Sequence, residues 1–117
     1  MNPVQIAESF SSHRFAEVLD RLAPTVRWVL PGQPTIDGKV AVTEACNATA
    51  AELVNLARVD FIRFVSVGGV GVAAVDVIAH YVGHDGSTSV VSSADIYEFD
   101  GDGLISMITS YAVELPE

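Results

Sequence analysis

AAVDVIAHYVGHDGSTSVVSSADIYEF, Ala73 to Phe99, joins two β-branched runs through HDGS, and each run carries an aspartate in its middle. Runs of this kind bounded by Gly and Asp read as strands. Asp85-Gly86 is a two-residue type I′ hairpin signal. It pairs His84 with Ser87 and, counted outward, sets Asp76 opposite Asp95, Ile78 opposite Ser93 and His80 opposite Val91. Side chains alternate along a strand, so all six share one face, and Tyr97 joins them. A four-residue DGDG loop at 100–103 pairs Phe99 with Leu104, which brings Ser110 opposite Ser93 and Ile108 opposite Asp95. A one-residue bulge reverses that second assignment. The other face, with Val75, Val77, Ala79, Tyr81 and Ile96, is apolar as well. Both faces therefore call for cover, one from helices and one from a second copy of the chain, with Tyr81 and Tyr111 at the contact.

Upstream, PVQIAESFSSHRFAEVLDRLA has apolar residues at three- and four-residue spacings, broken at Ser11-Ser12, which predicts two short helices. TVRWVL (Thr25 to Leu30) predicts a strand ended by Pro31-Gly32, and Gly38 to Leu56 predicts a helix with Val42, Cys46, Ala50 and Leu53 on its apolar stripe. Four strand-like runs follow. Helices first and strands after make the class α+β with an antiparallel sheet.

The chain's 117 residues suit one domain, 1–117. Fifteen acidic residues against six basic ones give a formal charge of −9, which disfavours nucleic acid and anionic membrane surfaces as partners. The lone Cys46 permits no internal disulfide and no zinc spacing, and it reads as a small buried hydrophobe. Neither a signal-peptide pattern nor an apolar run of roughly 20 residues occurs, so a cytoplasmic location is expected.

Two N-terminal helices, a strand ending WVLPG, a helix opening at IDGKVAV and strands ending YEFDGDGLISMITSY resemble the nuclear transport factor 2-like superfamily, closest to its SnoaL-like branch. The resemblance covers essentially the whole chain. It implies a cone-shaped curved sheet wrapped around the helices, an internal pocket and a homodimer formed through the sheet. Ketosteroid isomerases, limonene epoxide hydrolases and polyketide cyclases share that fold, so fold alone names no reaction. Where the isomerases carry a base, this chain has Leu30; Asp95 matches their oxyanion-hole acid; VQIAESF lacks their tyrosine. Where the epoxide hydrolases carry Arg-x-Asp and a final aspartate, this chain has Ala74, Asp76 and Ser110. Each set is one-third complete.

These readings make Asp95, Asp76 and His80 the candidate catalytic residues. Trp28, Leu30, Ile78, Ser93, Tyr97, Ile108 and Ser110 are the candidate pocket wall. Neighbouring carboxyls in a dry pocket do not both ionise, so one retains a proton and donates it to a ligand. As structural acids they would instead be hydrogen-bonded to Tyr, Ser or backbone groups. His13 and His84 read as solvated, and Arg63 as a snorkelling or ion-paired residue. No metal and no cofactor is expected. The expected ligand is a small hydrophobic molecule; whether it is turned over does not follow from the residues.

Overall fold

In the computed structural model, which describes Met1–Glu117, α1 spans Pro3–Ser11. Asn2 and Gln5 form a reciprocal capping box at its start, and Pro3 sits where no helical N–H is needed. Ile6, Ala7 and Phe10 are its buried face. The second predicted helix is replaced by two 3-10 turns, Phe15–Glu17 and Leu19–Arg21. Phe15 and Val18 are buried at a spacing of three, which a 3-10 turn stacks on one side.

Strand β1 (Leu22–Val29) and the short β2 (Ile36–Asp37) precede α2 (Lys39–Val54). Of α2, only Val42 and Cys46 are fully buried, and burial pushes the Cys46 thiol up to about 11. Four long strands follow: β3 (Leu56–Gly69), β4 (Val72–Gly83), β5 (Thr88–Phe99) and β6 (Ile105–Leu115). The sheet order is β2-β1-β6-β5-β4-β3.

The α+β class holds, but the expected cone does not. The six strands make an open sheet with β2 and β3 as separate edges, and the helices lie against one face. Nor is it wholly antiparallel, because β1 runs parallel to β6. The core lies between that face and the helices: Ile6, Phe10 and Val18 against Val75, Val77, Tyr97 and Ile108.

The β4–β5 register differs from the two-residue hairpin by one position. The Gly83 N–H bonds to Ser87 O at 2.8 Å, and Gly86 N–H to Gly83 O at 3.1 Å. His84, Asp85 and Gly86 therefore form a three-residue loop, a type I turn followed by Gly86 at φ +84°. Asp85 fixes this choice: its Oδ1 accepts the Ser87 N–H at 2.9 Å and hydroxyl at 2.6 Å, which holds its carboxyl below the ordinary value. Val75 now faces Asp95, and Asp76 faces Ala94. A slip of one residue sends every β4 side chain to the face opposite that expected.

At the next turn the sequence reading fares differently. Phe99 pairs with Ile105, and a bulge beside it brings Asp95 opposite Ser110 and Tyr97 opposite Ile108. The total displacement is two positions, so Ser110 and Ile108 stay on the expected face. A further bulge between Phe61 and Arg63 turns Phe61 and Phe64 both inward, opposite Ala79 and Val77.

Candidate functional site

Between the end of α1, the close of β1 and the helix-facing side of β4–β6 lies a recess of about 280 Å³. Phe10, Phe15, Trp28, Leu30, Val77 and Val91 supply its apolar wall. Phe10 meets Phe15, Trp28 and Tyr97 edge to face, with ring centroids 5.1, 5.2 and 5.8 Å apart. A second hollow of about 340 Å³ shares His13, Thr49, Tyr81 and Val91 with it and extends to Glu52 and Leu56.

Asp95 is held in this recess by a chain of hydrogen bonds that crosses the sheet. The Trp28 indole N–H donates to Ser110 Oγ at 2.9 Å, and the Ser110 hydroxyl donates to Asp95 Oδ1 at 2.6 Å. On the other side the Ser11 hydroxyl donates to Asp95 Oδ2 at 2.7 Å, and Ser11 Oγ lies 2.6 Å from the Tyr97 hydroxyl. Since Ser11 directs its one proton at Asp95, Tyr97 is the donor in that last bond. Tyr97 is completely buried; burial first, and Asp95's charge second, push its hydroxyl well above the ordinary value.

The same recess is lined by a second polar pair. His13 Nε2 is 2.9 Å from the Tyr81 hydroxyl, and its ring stacks obliquely near Phe15, Phe61 and Tyr81. His13 adopts φ +66°, the left-handed region that non-glycine residues rarely occupy. Its Nδ1 is buried without a partner. Burial lowers its pKa, against the pull of Asp95's charge, so the ring is neutral near pH 7. Burial and then Asp95's charge raise Tyr81's.

The structure thus brings together Asp95, Trp28, Leu30, Ser93 and Ser110 on the recess wall, with Tyr97 and Ile108 buried on the same face of the sheet. It separates Asp76, Ile78 and His80 from them. These three lie on the far face, where Asp76 accepts from Arg63 Nε at 2.8 Å and His80 lies 3.8 Å from Glu117. The expected carboxyl pair does not form. Tyr81, expected at the outer contact, faces inward instead. No three His, Cys, Asp or Glu side chains converge as a metal set, and no helix is long and apolar enough to cross a membrane.

A sequence profile described as the SnoaL-like domain matches residues 4–108. The chain belongs to the SnoaL-like domain family. Its fold is shared with an NTF2-like protein of unknown function from Cytophaga hutchinsonii, 27% identical over 93% of this chain and 94% of that one, at a TM-score of 0.78. A candidate polyketide cyclase from Xanthomonas campestris pv. campestris is 20% identical over 91% and 83% of the two chains, at 0.70. A candidate isomerase of the SnoaL-like family from Agrobacterium tumefaciens is 14% identical over 93% and 95%, at 0.68. At these identities the last two speak for the fold alone. No curated protein matches the sequence.

Of the recess residues absent from the candidate set of this SnoaL-like domain, Ser11, His13 and Tyr81 carry its hydrogen bonds. Ser11 resembles a cap in SSH but is buried and bonded to a strand 84 residues away. His13 follows it and looks like a loop residue, yet the left-handed turn folds it back over β4. Tyr81 was lost with the hairpin register.

Proposed function

We propose that this SnoaL-like domain binds one small, largely apolar molecule in the recess, with Asp95 as its polar anchor. One observation carries the reading. Asp95 is the only Asp, Glu, Lys or Arg on the recess wall, and both its oxygens are held in place by hydroxyls. Apolar walls with a few fixed polar groups are the usual form of a small-molecule site. The test is calorimetry and thermal melting with naphthalene-sized probes of neutral, basic and acidic kinds. Saturable binding that Val77→Trp, filling the recess, abolishes is the expected result. Silence from every probe overturns the reading.

A second reading is acid–base catalysis of isomerase, cyclase or epoxide hydrolase type. The presence of the neutral His13–Tyr81 pair on the same recess favours it, since one imidazole and one carboxyl can exchange protons with a bound molecule. Asp76 has no part in that reading, because it lies across the sheet. Turnover unaffected by Asp95→Asn would exclude it.

The outer face of the sheet is the basis for assembly as a homodimer. Val65, Val67, Ile96, Tyr111 and Val113 stand exposed there, close to the Arg63–Asp76 ion pair. Two chains of formal charge −9 meet with least repulsion on such a face.

A further inference from the structure

We infer that the recess selects a cation: its ligand is an apolar molecule bearing an ammonium group that sits against Asp95. The inference rests on the pocket reading above and narrows it.

An indole N–H only donates, so Ser110 accepts from Trp28 and turns its own proton to Asp95 Oδ1. Tyr97 donates to Ser11, which turns its proton to Oδ2. Two hydroxyl protons aimed at one carboxyl group match the ionised form, which accepts at both oxygens. Each carboxylate oxygen keeps a further lone pair for a donor from the ligand.

That charge has no counter-charge. Asp95 takes part in none of the chain's five ion pairs, and no Lys or Arg lines either hollow. The one basic group present, His13, is neutral. The only other ionisable acid on the walls, Glu52 in the outer hollow, adds negative potential. An anion is repelled on entry, and a neutral molecule leaves Asp95 unpaired in a partly buried site, which is costly.

The surroundings suit a cation in two further respects. Phe10, Phe15, Trp28 and Tyr81 all line the recess, and aromatic faces attract ammonium groups within about 6 Å. The recess also lies at the C-terminal end of α1, where the helix dipole is negative. Acid, aromatic wall and helix end act in the same direction.

Three probes of one shape decide the matter: 2-naphthylmethylammonium, 2-naphthalenemethanol and 2-naphthoate, titrated by calorimetry at pH 7 into the full chain. The ammonium is expected to bind at least about tenfold tighter than the alcohol, a difference of about 1.4 kcal/mol. Naphthoate is expected to bind least. Asp95→Asn, close to isosteric, should erase the ammonium's advantage over the alcohol. Should that variant fail to fold, the three-probe series on the unaltered chain still decides. Alcohol equal to or tighter than ammonium, or naphthoate the tightest, overturns the cation inference and leaves the pocket reading standing. Silence from all three overturns both.

Discussion

Ser11 holds two partners with one oxygen, and its removal strands both. Ser11→Ala leaves the fully buried Tyr97 hydroxyl without an acceptor and one Asp95 oxygen without a donor. A buried group left unsatisfied costs about 1–3 kcal/mol, so urea unfolding should show a loss of that size. Tyr97→Phe removes donor and need together and should cost less. The double variant should cost less than the sum of the two singles, because the second change cures what the first exposed; a double-mutant cycle by urea melts reads this directly. His13 sets a different dependence. Its pKa is lowered in the fold, while the unfolded chain keeps the ordinary 6.5. Below that value the unfolded chain binds more protons, so stability held above pH 6.5 is lost as pH falls toward the folded value. His13→Asn, a residue that tolerates the left-handed turn, should flatten the slope of urea midpoints between pH 7 and pH 5.

Among the elements, the β4–β5 hairpin decides most. Gly86 at φ +84° closes its three-residue loop, and Gly86→Ala should lower stability by about 1 kcal/mol in a urea melt without altering the recess. Gly68 on β3 serves a close approach instead: a Cβ there would collide with the Val4 side chain of α1. Gly68→Ala should therefore cost about 1–3 kcal/mol and loosen the helix start, seen as faster amide exchange at Ile6 and Ala7. What the sequence made legible follows from this hairpin. Alternation is local, so the strands, the shared face of Asp95, Tyr97, Ser93, Ile108 and Ser110, and the place of Trp28 could be read directly. Loop length is not local in that sense. HDGS supports a two-residue turn on its Asp-Gly signal alone, and only the Asp85 carboxylate bonding Ser87 favours three. That one residue moved Asp76, Ile78 and His80 to the outer face and Tyr81 to the inner one. The bulge near Phe61 was equally hidden, and the one near Phe99 stood only as an alternative, since a bulge changes pairing without changing composition.

At the scale of the molecule, the sheet separates two environments. One face carries the core and the recess; the other carries exposed apolar side chains around a neutral ion pair. If a second copy covers the outer face, Tyr111→Glu places like charges against each other across the pair. Light scattering should then report the mass of one chain where the unaltered protein gives two. The variant should leave the recess unaltered, because Tyr111 and Asp95 lie on opposite sides of the sheet. The sheet also leaves the chain's single tryptophan in a telling place. Trp28 is half-buried on the recess wall, with its N–H tied through Ser110 to the Asp95 carboxylate. The protein therefore carries its own optical reporter: with no other indole to dilute the signal, a molecule entering the recess should shift the colour or yield of its ultraviolet emission, a change measurable on unlabelled protein in a cuvette.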